Sequence, residues 1–160
     1  MPAVDRKPTG LLRLALRAPI WLYRAKLGWL TGHRLLYIAH RGRKSGARRE
    51  VVVETVRYDR TVPEVVVIAA WGKNPDWYRN LRANPAIEVR IGAKQWLRPN
   101  QRFLDGPETH DVLMAYQREH PHAWKRLAPM IGFPEDPKDL RWPEVAEATR
   151  AIAFTPARPG

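Results

Sequence analysis

The chain has no cysteine and a single serine, Ser45. The first absence excludes disulfide scaffolds, thiol nucleophiles, zinc fingers and iron–sulfur sites together. The second leaves serine-hydrolase chemistry resting on Ser45 alone. That residue stands in Gly42-Arg43-Lys44-Ser45-Gly46, not in the Gly-x-Ser-x-Gly turn from strand to helix that such chemistry uses. Long apolar runs are missing as well. The longest uncharged stretches, Val65–Gly72 and Leu127–Pro134, hold eight residues each, against the ~20 needed to span a bilayer. Leu11–Leu30 is apolar but carries Arg13, Arg17, Arg24 and Lys26, which fits neither a membrane span nor a signal-peptide core. A cytoplasmic protein is expected. The five histidines (33, 40, 110, 120 and 122) form no His-Glu-x-x-His pattern and have no matched carboxylates, so no metal site is expected.

What the chain does have is positive charge. Twenty-eight Lys and Arg face 16 Asp and Glu, a formal net charge of +12. The excess sits early: residues 1–60 hold 14 basic and 4 acidic side chains. Arginines outnumber lysines 21 to 7, which favours planar, bidentate contact with phosphate or carboxylate. Such a half calls for an anionic partner: nucleic acid, a lipid surface or a polyanionic small molecule. No helix-turn-helix, zinc or aromatic RNA-binding pattern accompanies the charge, so nucleic acid is not the expected partner.

The 160 residues, 44% apolar and 28% charged, suffice for one folded domain. Residues 1–30 read as an N-terminal segment with a cationic amphipathic helix from Gly10 to Leu30, kinked at Pro19. Such a helix packs on its own domain or rests on anionic membrane at the inner face of the cell membrane. Residues 31–160 read as a single domain. Arg34–Arg41, valine-rich Glu50–Tyr58 and apolar Glu64–Trp71 are expected strands, the last central and covered on both sides. A short helix begins at Asn74-Pro75-Asp76 and ends at Asn84-Pro85. Ile87, Val89 and Ile91 alternate with polar residues as a strand buried on one face. Gln95–Leu104 continues as its hairpin partner, with an edge or bulge at Pro99. Helices are expected over Glu108–His120 and Ala123–Met130, a Pro/Asp loop over Pro134–Pro143, and a last strand at Ala151–Thr155. Short connections between strands argue for an antiparallel α+β barrel, not a parallel sheet.

Two segments carry chemistry. His40–Arg49 places five cations within nine residues around two glycines. A turn there can offer backbone N–H groups as an anion nest, with Ser45 adding a hydroxyl and Arg43, Lys44 and Arg49 taking phosphate or carboxylate oxygens. The alternative is a solvated basic hairpin tip. Trp71–Leu81 sets two tryptophans and a tyrosine around Gly72, walls suited to a flat anionic heteroaromatic ligand. Here the alternative is that Trp77 and Leu81, four apart, are core.

Taken together, Gly42-Arg43-Lys44-Ser45-Gly46 with Arg49, the strand end Ala69-Ala70-Trp71-Gly72, and Trp77-Tyr78-Arg79-Asn80-Leu81 followed by Ala83-Asn84-Pro85 resemble the deazaflavin-dependent nitroreductase family over roughly residues 30–105. The resemblance implies a mainly β, α+β split β-barrel of the flavin- and deazaflavin-binding type. It implies reduced 8-hydroxy-5-deazaflavin as coenzyme, with a phosphate and an oligoglutamate tail, and hydride transfer to a small hydrophobic acceptor, a quinone-like or nitro compound. By position it assigns Lys44 and Arg49 to the phosphate and tail, with Arg43, Ser45 and Gly46 in the same turn. It assigns Ala69, Ala70 and Trp71 to the ring, with Trp77 nearby and Lys73 as a replacement basic contact. Tyr116 is the counterpart of tyrosines near the substrate and the candidate proton donor. Related barrels pair as dimers, so a homodimer is expected. A carrier of lipid, haem or a flavin-like ligand on the same barrel is the other reading.

Overall fold

The computed structural model of the chain describes residues 20–69 and 74–158. Residues 20–24 are helical, and a short tight helical turn follows at Gly28–Thr31. The expected helix over residues 10–19 and its kink at Pro19 lie outside the described residues.

β1 (Leu35–Arg41) and β2 (Arg48–Asp59) form an antiparallel hairpin in register from Leu35 opposite Glu54 to Arg41 opposite Arg48. β3 (Glu64–Ile68) pairs with β2, and β7 (Ala151–Thr155) with β3. The expected strand to Trp71 stops at Ile68, although the Ala69 N–H still extends the ladder to the Arg150 carbonyl at 2.8 Å. On the other side β4 (Glu88–Ile91) pairs with β1, and β5 (Lys94–Leu97) with β4. β6 (Asn100–Phe103) closes the far edge beside β7, giving the order β5-β4-β1-β2-β3-β7-β6.

That order fixes the shape. β5 and β6 lie at opposite edges of the sheet, yet only Arg98 and Pro99 separate them in the chain. A two-residue link joins both edges only if the sheet rolls up. Gln101 of β6 stitches the seam: its amide accepts from Ala86 N at 3.0 Å and donates to the Leu81 carbonyl at 2.9 Å. The single hairpin strand expected over Gln95–Leu104 is therefore two strands. Arg98, at φ +46°, and Pro99 break it, since proline has no N–H for a ladder. The product is an antiparallel α+β split barrel.

The sheet buries both faces. Leu36, Ile38, Val65, Val67, Ile91 and Phe154 fill the barrel interior, and Tyr78 and Leu81 of α1 (Asp76–Ala83) plug one end. α2 (Gly106–Glu119), α3 (Pro121–Ile131) and α4 (Trp142–Ala148) cover the outer face, where Val66, Ile68 and Ala153 meet Leu113, Trp124 and Trp142. A third, smaller cluster packs Tyr23 on Tyr37 and Ala39. α4 begins where only a loop was expected. β4 was expected to bury one face, yet Glu88 is also buried, held by Arg48 at 2.6 Å and Arg90 at 3.0 Å.

Candidate functional site

The β1–β2 turn and α1 are built against each other. Strand alternation sorts the turn's cations: Arg41 and Arg48 share the outer face with Tyr37 and Glu50, whereas Arg49 shares the inner face with Val51, Val53 and His40. Arg43 crosses to the helix. Its backbone N–H and its Nη1 both donate to Asn80 Oδ1, at 3.1 and 2.9 Å, and its Nη2 reaches Asp76 Oδ1 at 3.2 Å. Asp76 and Asn80 are four apart on α1 and so present one face.

Asn80 is buried, and its amide orientation follows from those bonds. With Oδ1 accepting twice, Nδ2 donates to His40 Nδ1 at 3.2 Å. His40 is therefore the neutral tautomer with its proton on Nε2. Burial, and secondarily the charge on Arg49, push its pKa down to about 4.

The turn does not form the expected anion nest. Gly42 N–H donates to the Ala47 carbonyl and Gly46 N–H to the Gly42 carbonyl, each at 2.8 Å, while Ser45 Oγ accepts from Ala47 N–H at 3.2 Å. Gly46 holds φ +69°, a conformation that glycine adopts freely. The anion-binding capacity lies in side chains instead. Lys44 and Arg49 are exposed and have no hydrogen-bond or ion-pair partner among the described residues. Ser45 keeps its hydroxyl proton for donation. Arg43 is already engaged with Asn80 and Asp76, so it braces the turn.

Of the other expected residues, Ala69 is buried at the end of β3. Trp77 is half-buried against the inner core, edge-on to Tyr78 at 6.1 Å. Ala70, Trp71 and Lys73 lie outside the described residues. Tyr116 is not brought to this site. It packs in the outer helical layer, and its hydroxyl donates to Glu54 Oε1 at 3.1 Å. Burial, reinforced by Glu54, pushes its pKa up to about 12. Strand alternation puts Glu54 and Val56 on that outer side, and a bulge in β2 between Thr55 and Arg57 returns Tyr58 to the inner core. Sequence reasoning missed His40 and Asn80. For Asn80 alone the signal was available, in its four-residue spacing from Asp76 once Asp76–Ala83 is read as a helix.

Two exposed cations, Lys44 and Arg49, thus stand on a turn that Arg43 bonds to the helix carrying Trp77 and Tyr78, an arrangement that could meet a planar anionic ligand.

Comparison with known proteins bears on the same residues. Residues 15–124 match the family described as F420H(2)-dependent quinone reductase. The Mycobacterium tuberculosis protein Rv3178, named for F420H(2)-dependent quinone reduction, is 32% identical over 89 residues, covering 44% of this chain and 72% of that protein. Among solved structures, an F420-H2 dependent reductase (FDR-A) superposes with a TM-score of 0.51 at 20% identity, covering 77% of this chain and 95% of its own. A chain solved as a domain-swapped dimer gives a TM-score of 0.51 at 18% identity, covering 86% and 99%. At these identities the likeness to the two structures concerns the fold.

Proposed function

Because the chain belongs to the F420H(2)-dependent quinone reductase family, we propose that its turn at residues 42–49 and the facing helix α1 form the binding site of the reduced deazaflavin coenzyme. The activity is deazaflavin-dependent reduction of a quinone-like acceptor. The bound coenzyme supplies the hydride. Among the described residues there is no group of three or more His, Cys, Asp or Glu placed to hold a metal ion.

In this reading Lys44 and Arg49 take the phosphate region, with Ser45 as a neutral donor and Gly46 shaping the turn. Ala69 after β3, with Ala70, Trp71 and Lys73 that follow it in the sequence and Trp77, would flank the ring. Arg43 and Asn80 hold the two walls at fixed spacing, so orientation is set before binding. α1 plugs the barrel end with Tyr78 and Leu81, which keeps water from that side. Tyr116 has no part in it, because its proton is committed to Glu54 on the other face of the sheet. The observation that carries the reading is the bridge from Arg43 to Asp76 and Asn80, which brings the cationic turn and the aromatic helix together.

The test is a titration of coenzyme by fluorescence quenching, followed by turnover with a soluble quinone. Charge-assisted bonds of roughly 1.5–3 kcal/mol each before screening predict at least tenfold weaker binding for Lys44→Ala and for Arg49→Ala. The loss should shrink as salt rises. Unchanged affinity in both variants removes the site. Binding without turnover points to the carrier reading. Peripheral membrane contact through the N-terminal segment and pairing into a homodimer belong to the same proposal.

A further inference from the structure

Behind the 42–49 turn, on the outer face of the sheet, lies a buried carboxylate that the proposed site does not use. Glu88 of β4 is 3% exposed. Both of its oxygens are occupied. Oε1 accepts from Arg48 Nη2 at 2.6 Å and from Arg90 Nη2 at 3.0 Å. Oε2 accepts from Arg90 Nε at 3.4 Å and from Gln95 Nε2. Arg90 and Gln95 are its neighbours on β4 and β5. Arg48 is not: it belongs to β2, and β1 lies between. Its side chain crosses a whole strand to reach Glu88, passing the Tyr37 hydroxyl at 3.4 Å.

The register shows what this reach answers. Arg48 stands directly opposite Arg41 at the root of the turn, and the next pair along the hairpin is Arg49 with His40. Like charges facing each other across two strands destabilise the pairing. Five cations within nine residues load the same turn. The charge that suits it to an anion therefore also works to splay it open. The two facing arginines are drawn in different directions. Arg41 Nη1 donates to the Gly46 carbonyl at 3.2 Å, within the turn, while Arg48 is taken over β1 to Glu88. A buried ion pair adds little net stability, because desolvation offsets most of the attraction. Arg48 is half-exposed, and Glu88 would keep Arg90 and Gln95 without it. Stability alone thus does not account for the link across β1.

We propose that Arg48 and Glu88 are positioning residues for the turn. The buried carboxylate ties the root of the turn to β4 and offsets the repulsion there, which leaves Lys44 and Arg49 unpaired and at fixed spacing for an anion. Neither positioning residue touches that anion. The proposal rests on the reading above in one respect, that the ligand of the turn is the reduced coenzyme.

The test is Arg48→Met. It cuts the link while Glu88 keeps Arg90 and Gln95, so no buried charge is stranded. Two readouts are taken on the full chain: amide hydrogen exchange, and coenzyme titration by fluorescence quenching at low and at high salt. The Gly42 and Gly46 amides, both bonded within the turn, should lose protection while those of β3 and β7 keep theirs. Coenzyme affinity should fall by about fivefold. That factor should persist at high salt, where the effect of a distant charge is screened. Arg48→Lys, which keeps the charge and one bond to Glu88, should recover most of the loss. Unchanged turn protection with unchanged affinity overturns the proposal and leaves the coenzyme site standing. A loss of affinity that vanishes at high salt, with the turn amides unchanged, overturns it too, because Arg48 then acts only as a remote charge. If the wild type binds no coenzyme, the site reading fails by itself. Lost protection at Gly42 and Gly46 in the variant then still supports the link as what holds the turn, and unaltered protection overturns it. Thermal unfolding checks that the variant is folded. Should it not fold, Glu88→Gln, which keeps the side-chain shape and sheds the charge, takes its place under the same outcomes.

Discussion

At the scale of single residues, the network of Arg43, Asn80 and His40 does more for the site than the residues expected to touch a ligand. Asn80 is buried, and removing it would strand the His40 acceptor and the Arg43 backbone donor, at roughly 1–3 kcal/mol for each buried group left unpaired. His40 acts as a fixed acceptor because it stays neutral. Its folded pKa of about 4 lies below the ~6.5 of an unfolded histidine. The unfolded chain therefore binds the proton that the folded chain refuses. Stability contributed by neutral His40 is present above pH ~6.5 and falls as pH drops toward ~4. Urea unfolding should thus show a loss of about 2 kcal/mol between pH 7 and pH 5 from this group. His40→Gln, which keeps an amide acceptor, should flatten that part of the curve. An unaltered slope in the variant would mean that His40 titrates normally. Nothing in the sequence marked His40 for this role, because burial and the tautomer are set by Asn80, forty positions away.

At the scale of elements, strands and helices were legible where periodicity and punctuation agreed. β1, β2, α1 and β7 fall where valine runs, proline caps and alternation put them. The misreadings share a cause in tertiary closure. Gln95–Leu104 reads as one hairpin partner with an edge or bulge at Pro99, and it becomes two strands because Arg98 and Pro99 have to carry the chain from one sheet edge to the other. Glu88 reads as a solvent-facing position, yet hydrogen bonds and charge from Gln95, Arg90 and Arg48 hold its carboxyl below the usual range despite burial. α4 was hidden behind the Pro/Asp loop that precedes it. The link at Arg98 is testable as an element. Its N–H donates to the Ile87 carbonyl at 2.9 Å, and its φ is +46°. Arg98→Pro forces φ near −65° and deletes the donor, so it should cost ~3 kcal/mol or more. Arg98→Gly accepts the angle and keeps the bond, so it should stay within about 1 kcal/mol of wild type. Thermal unfolding of both variants reads this. Equal effects would show that the backbone at this link does not set the closure.

At the scale of the whole molecule, the early excess of positive charge proves to be partly spent inside the fold. Arg24 pairs with Glu50, Arg43 with Asp76, Arg48 with Glu88 and Arg57 with Glu64. Raw charge by sequence half therefore overstated the free field. Among the described residues next to the N-terminal segment, Lys26 makes no ion pair, and it lies in the chain between two apolar side chains that face water: Trp21 at 66% exposure and Leu30 at 57%. No helix among the described residues is long and apolar enough to cross a membrane. Exposed Trp and Leu beside a cation are the composition of a surface that lies on a bilayer. Burying one such side chain is worth roughly 1.5–3 kcal/mol, and each lysine near an anionic surface adds about 1 kcal/mol. Wild-type chain should therefore co-sediment with vesicles rich in anionic lipid at low salt. Trp21→Glu/Leu30→Glu should release most of it, by roughly thirtyfold in partitioning on the same scale, with coenzyme binding unchanged because both positions lie outside the turn and α1. A wild-type chain that stays in the supernatant at low salt would mean that these side chains face water for reasons internal to the fold, and the membrane contact would be withdrawn.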